Sequence, residues 1–229
     1  MAKSTFNDII DKVQRRADYV VSNGTADDDA LFIEIINDNI KTVKQWFLDA
    51  QIYDEISASD SFPTVAAQAY VEVSTTTTDL DQPISLREKT NDTTLEFIPV
   101  DDFFRLYPAE TKDSAATADH VCWWNNRFYF GPTPSQVTTY YLEYIKLIDD
   151  LVAGDTMPYE AKYDPLIIAM SVQDVLLWLD PSNGTAISAT MAKSKELRKT
   201  LIDGAKNIPM NRQTASRSIS SPYFNPKMA

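Results

Sequence analysis

The sequence predicts an α+β protein: a bundle of about four helices, an antiparallel β-domain inserted into it, and an extended C-terminal tail. Three observations predict this. Apolar residues recur at three- and four-residue steps towards both ends, the period of a helix with one buried face. Between them lie short alternating runs rich in aromatic and β-branched residues, punctuated by turn residues. Beyond about residue 206 no period survives, and Ser, Asn, Arg and Pro dominate. The boundaries read as 1–56 for the N-terminal helices, 57–150 for the β-domain, 151–206 for the C-terminal helices and 207–229 for the tail.

The first helix carries Phe6, Ile9, Ile10, Val13, Ala17 and Val20 on one stripe. Thr5 and Asp8 stand at the spacing of a capping pair, and Asn23-Gly24 supplies a stop. Asp27, Asp28 and Asp29 suit the start of a second helix, where unpaired backbone N–H groups and the dipole favour anions. They lack the Asp-x-Asp-x-Asp-Gly pattern of a calcium loop, so the helix start is the expected reading. Phe32, Ile35, Ile36, Ile40, Val43, Trp46, Phe47 and Ala50 then form a long apolar stripe, expected to pack against other helices.

From about residue 57 the period shortens, and roughly residues 65–148 predict five to seven short strands. Residues 69–73 alternate, and short alternating segments fall at 84–86 and 95–97 with a turn-like stretch between them. The interval from Pro99 to Tyr107 holds one or two helical turns, and 108–119 reads as a loop. The densest signal is residues 123–148, WWNNRFYFGPTPSQVTTYYLEYIKLI, with two of the four Trp. Asn tolerates the left-handed backbone of a two-residue hairpin turn, so Asn125-Asn126 predicts a hairpin between Trp123-Trp124 and residues 127–130. Gly131-Pro132-Thr133-Pro134 stops that strand, since proline cannot donate to a ladder. A third strand over about 137–148 sets Tyr140, Leu142 and Tyr144 on one face. Aromatic strand residues can pack a core, dock a partner or stack on sugars. Alternation makes core packing the main expectation for these.

A linker containing Gly154 and Pro158 leads to a third helix, with Asp164 as expected cap and Pro165 at the first helical position. Residues 166–179 are almost wholly apolar, which predicts burial on most sides. Asp180-Pro181-Ser182-Asn183-Gly184 breaks it. A fourth helix, about 185–205, sets Ile187, Met191, Leu197 and Leu201 on one side, with Lys193, Lys195, Arg198 and Lys199 placed towards its C-terminal half, where cations suit the dipole.

Net charge is −12, unevenly spread. Residues 204–229 carry Lys206, Arg212, Arg217 and Lys227 with no acid, which leaves −16 for residues 1–203. An acidic body argues against a surface that grips nucleic acid, because phosphate contacts need Lys and Arg. No apolar run approaches the ~20 residues of a membrane helix, and the start MAKSTFNDII is polar, so a cytosol-like place of synthesis and no membrane contact are expected. Cys122 is the single cysteine and His120 the single histidine. They stand two apart on one strand face, a conceivable nucleophile and base, but in an apolar strand that favours structure over catalysis. No Walker loop, GxGxxG or HExxH occurs, no pair of acids stands out as a glycosidase pair, and no cofactor or metal is expected. In the tail, Tyr223-Phe224 sit between Pro222 and Pro226. Aromatics in a proline-stiffened polar segment make anchors that order on a partner or on a neighbouring copy.

Asn126-Arg127-Phe128-Tyr129-Phe130-Gly131-Pro132-Thr133-Pro134, then Tyr140-Tyr141-Leu142-Glu143-Tyr144, then Asp164-Pro165-Leu166-Ile167-Ile168-Ala169 with its apolar helix, resemble the head-to-tail adaptor (connector) proteins of tailed bacteriophages, particularly the short-tailed type. The segment from Thr75 to Asp92 matches no feature of that family. The resemblance implies a structural virion protein with no catalytic activity, made in the host cytoplasm. It implies a ring, usually of twelve copies, beneath the portal protein, with tail nozzle or fibre proteins as further partners. DNA would pass through without specific binding, and the tail would reach the portal, with Arg212, Arg217, Tyr223, Phe224 and Lys227 as contact residues. Two other readings remain: a carbohydrate- or receptor-binding module of a virion using Trp124 or Tyr141, and a hydrolase with an unrecognised carboxylate pair.

Overall fold

A computed structural model describes residues 3–17, 26–73, 77–108, 114–115, 117–179 and 181–204. They fall into two compact units. One is helical, drawn from the chain up to Ile56 and again from Ile148; the other is the β unit Ser57–Leu147.

The helical unit contains α1 (Phe6–Arg16), α2 (Ala26–Ala50), α4 (Asp164–Leu179) and α5 (Gly184–Arg198). Thr5 and Asp8 cap α1 reciprocally, each side chain taking the other's backbone N–H. Phe6, Ile9 and Val13 form its buried stripe. The expected Asn23-Gly24 stop and Val20 lie outside the described residues. Asp27, Asp28 and Asp29 occupy the first turn of α2. α4 is the central element, with α1, α2 and α5 packed against it. Its burial runs from Leu166 to Leu176 and then ceases: Leu177 and Trp178 are exposed. Asp164 does not cap α4. A turn of 3-10 helix, Ala161–Tyr163, leads straight into it and leaves Asp164 helical, with its carboxylate accepting the hydroxyl of Ser4. Phe47 of α2 meets Tyr159 and Tyr163 edge-on at 5.0 and 4.8 Å. Asn39 donates to Asp174 of α4 at 2.9 Å and to the fully buried Ser171 at 3.4 Å, a polar tie inside an apolar seam.

The fourth helix ends differently from expectation. After Arg198 it continues as a π turn, Lys199–Asp203. A π turn takes one residue more than an α turn, so the buried residue is Ile202 and Leu201 is only half-buried. Met191, assigned to the apolar stripe, is exposed.

The β unit holds nine strands among the described residues, more than the five to seven expected: β1 (Ser57–Pro63), β2 (Tyr70–Glu72), β3 (Leu80–Glu88), β4 (Glu96–Phe97), β5 (Ser114–Ala115), β6 (His120–Trp124), β7 (Arg127–Gly131), β8 (Thr133–Pro134) and β9 (Thr139–Lys146). They form a sheet ordered β1-β9-β3, a second ordered β2-β7-β6-β4, and the small pair β5-β8. The antiparallel expectation holds for the long pairings. β4–β6 and β5–β8 are parallel. A parallel pairing needs a crossover, and α3 (Val100–Leu106) lies in the connection between β4 and β6. Two-residue strands are too short to show alternation, which is why the sequence hid them.

The two larger sheets pack face to face. Phe62, Leu86, Tyr140, Leu142 and Tyr144 of the first meet Val71, Val121, Phe128 and Phe130 of the second. Phe62 stacks on Phe128 at 5.6 Å, and Phe130 on Tyr140 at 5.2 Å. The hairpin is as predicted: Asn125 and Asn126 have φ of 51° and 57°, and Trp124 pairs with Arg127. The segment from Thr75 to Asp92 contains the whole of β3, an edge strand that carries Pro83 and two register shifts. An edge position is where a sheet tolerates proline.

Candidate interaction surfaces

Alternation along β6 and β7 decides what each aromatic does. Val121, Trp123, Phe128 and Phe130 turn into the sandwich. His120, Cys122, Trp124 and Tyr129 turn to the other face, where Phe103 and Phe104 of α3 and Tyr107 just after it pack against them. Gly131 fits beneath the Tyr107 ring, and a Cβ there would run into it. Tyr107 is thereby held with its hydroxyl 2.7 Å from His120 Nδ1, while Nε2 lies 3.7 Å from Glu96. Cys122 is buried against Phe103 and Tyr129, and that burial pushes its thiol up to about 11. A thiol that stays protonated at neutral pH is a poor nucleophile, and His120 is committed to Tyr107. The pair is packing, not a Cys-His site.

Trp124 and Tyr141 are both exposed, at 48% and 38%. They do not form one platform. Trp124 stands on the α3 side, edge-on to Phe104 at 5.8 Å. Tyr141 projects from the middle strand of the other sheet, opposite in sense to the buried Tyr140 and Leu142. It is flanked by the cations of Arg87 and Lys89 at 5.9 and 5.4 Å, with Ser61 and Arg87 as its cross-strand neighbours. Among the described residues the exposed aromatics of the β unit, Trp124 and Tyr141, therefore stand on different sheets and do not combine into one stacking surface.

Glu55, Glu160 and Asp164 of the helical unit are tied into structure. Lys162 reaches Glu160 at 2.7 Å and Glu55 at 2.9 Å; burial works against its charge, but the two carboxylates outweigh that and raise its pKa. Burial raises the pKa of Asp164, against the pull of the Ser4 hydroxyl. Among the described residues no group of His, Cys, Asp and Glu could hold a metal ion, and no helix is long and apolar enough to cross a membrane. The predicted contact residues Arg212, Arg217, Tyr223, Phe224 and Lys227 lie outside the described residues.

The family model of the SU10 adaptor protein matches residues 4–220, which spans both units. The chain belongs to the SU10 adaptor protein family. It is a bacteriophage adaptor: a structural component of the virion that interacts with other virion proteins. No curated protein sequence matches it. Sequence reasoning missed the exposed end of α4. Leu177 and Trp178 belong to an apolar run whose burial ends at Leu176, and no periodic signal marks where it ends.

Proposed function

We propose that this adaptor assembles into a closed ring, with twelve copies as the expected number, which joins the portal protein at the capsid vertex to the tail nozzle or fibre proteins. The observation that carries this reading is the family match over residues 4–220. The division into a helical and a β unit agrees with it, since an adaptor needs separate surfaces for successive partners. In a ring each copy presents two different patches to its neighbours, and rotation closes the chain of contacts. The acidic body suits a channel that lets DNA through without holding it, because like charges leave phosphates unbound. The tail, with Arg212, Arg217, Tyr223, Phe224 and Lys227, supplies the grip on the portal or on an adjacent copy. Residues 1–56 and 151–206 form the scaffold, 57–150 the inserted domain and 207–229 the tail.

Mass photometry and negative-stain imaging of the protein, alone and with its portal, test the ring. Annular particles support it; a protein that stays dispersed in both settings overturns it. Deleting residues 207–229 should leave a folded body and abolish portal binding. Unchanged binding would remove the tail's assigned role. The carbohydrate-binding alternative gains no support from the separated positions of Trp124 and Tyr141.

A further inference from the structure

Two surfaces of the helical unit are mixed in character and opposite in charge. The first is the outer stripe of α5. Lys193, Lys195, Arg198 and Lys199 fall within seven residues against the single carboxylate of Glu196, in a chain that is otherwise strongly acidic. All four are exposed, and so is Met191. Met191, Lys195 and Lys199 recur at four-residue steps and so share one side of the helix. α5 packs on α4, with Ser194 Oγ 3.5 Å from Gln173 Oε1, and just past that point α4 ends in the exposed Leu177 and Trp178.

Helix-dipole compensation does not account for these cations. The effect fades within the last turn, and this helix runs on through Lys199–Asp203, whose last turn holds no basic residue. The four charges sit before the true end. Arg198 also lies 4.2 Å above the Trp46 ring of α2, which fixes this surface to one flank of α2.

The second surface is the linker between the β unit and α4. Asp149, Asp150 and Asp155 fall within seven residues that contain no cation. Val152 among them is 62% exposed. The linker is strapped down. Asn37 of α2 both donates to and accepts from the backbone of Leu151, at 3.1 and 2.9 Å. Lys41 pairs with Asp150 at 2.6 Å, and Gly154 N–H donates to Asn7 of α1 at 3.2 Å. Asn37 and Trp46 are nine positions apart, about two and a half turns at ~3.6 residues per turn. The anionic and cationic surfaces therefore stand on opposite flanks of α2.

We infer that these are the two halves of one copy-to-copy interface: the α5 stripe of one subunit, with Leu177, Trp178 and Met191, seats on the 149–155 linker of the next. This rests on the ring reading above and names the surfaces that would close the ring. The arrangement is what a heterologous contact needs, two distinct and complementary patches, here on opposite flanks of α2. Charge complementarity would set register and exclude like-with-like docking, and the apolar residues would supply the area removed from water.

The test uses the full chain in sedimentation velocity at low and high salt. Lys195→Glu with Lys199→Glu makes one variant, and Asp149→Lys with Asp150→Lys the other. Each alone should lose the association that wild type shows, with helix content by circular dichroism unchanged. Mixed one to one they should regain it, because each repairs the other's reversed face. Wild-type association should weaken as salt rises past the ~10 Å Debye length of 0.1 M. Two variants that associate like wild type place the interface elsewhere and overturn the inference, while the ring survives. A wild type that stays monomeric at high concentration also removes this interface, and leaves the ring to the portal-bound imaging. Binding of a short duplex DNA by wild type that disappears in the Lys195→Glu, Lys199→Glu variant would assign α5 to nucleic acid instead.

Discussion

Truncating Phe128 to alanine tests the reading of the aromatic hairpin more sharply than any surface change. Phe128 is fully buried, stacked on Phe62 at 5.6 Å with the rings 12° from parallel, and touched edge-on by Phe97 at 6.4 Å. Both sheets converge on it, so the surroundings have little room to collapse into the space left. Core Phe→Ala changes of this kind cost about 3–5 kcal/mol. In a unit the size of Ser57–Leu147, each kcal/mol lowers the melting temperature by about 4–8 °C, so the midpoint should drop by at least about 12 °C. Trp124, four residues earlier and half exposed, should cost less than about 1 kcal/mol when truncated, since surface losses away from special features are small. Thermal unfolding gives both numbers, and peptide-level hydrogen exchange shows whether the loss is confined to the β unit. Equal losses for the two variants, or a Phe128→Ala loss under about 1 kcal/mol, would refute the assignment of faces by alternation.

Other consequences follow from named contacts. Asn126→Gly should be neutral or mildly stabilising, while Asn126→Val should cost about 1–2 kcal/mol, because a side chain branched at Cβ resists the left-handed turn backbone; melting temperatures check both. Cys122 should resist alkylation by iodoacetamide at pH 8 in the folded protein and react at once in denaturant, which mass spectrometry reads directly. Its raised thiol pKa gives a stability contribution that is whole below about 9 and lost as pH climbs through about 11, so Cys122→Ala should flatten part of the alkaline decline in urea midpoint. Asn39→Ala removes the donor to Asp174 and should cost about 1–3 kcal/mol by urea denaturation.

The elements that were legible in the sequence are those whose own residues carry the reason for their shape. Thr5 and Asp8 cap α1 wherever the chain goes next, and Asn125-Asn126 can turn a hairpin without help. Strand β9 alternates cleanly because it lies in the middle of its sheet with one face in the core. What escaped reading depends on neighbours. Strand β1, SASDSFP, contributes one fully buried side chain, Phe62, and is a strand because β9 pairs with it along its whole length. Strand β3 carries Pro83 and two register shifts, so its alternation is broken, and only the edge position beside β9 makes it tolerable. Asp164 looked like a cap because Asp-Pro commonly starts a helix; the preceding 3-10 turn makes it helical instead, and its carboxylate accepts from Ser4, 160 residues away. The candidate catalytic pair failed for the same kind of reason. His120 and Cys122 share a face, as two-residue spacing requires, but what that face meets is α3, and an aromatic lid turns both into core.

The charge pattern shows where sequence rules stop short of function. Lysines in the later part of a helix satisfy the dipole rule, and an acidic stretch before a helix satisfies the linker rule, so both invited local explanations. Structure removes the first by extending the helix beyond the last of these cations, Lys199, to Asp203, as a π turn that carries none in its last turn. It weakens the second by holding the acidic linker rigidly to α1 and α2 through Asn7, Asn37 and Lys41. A loose acidic linker would be solvated and indifferent to partners. One pinned by backbone hydrogen bonds presents its carboxylates and Val152 in a fixed arrangement, and so loses little freedom on docking. For an adaptor whose body is strongly acidic, copies brought side by side repel unless the contact itself is asymmetric. The concentration of cations on α5, opposite the anionic linker across α2, is the feature that lets such a body meet its own copy in one orientation.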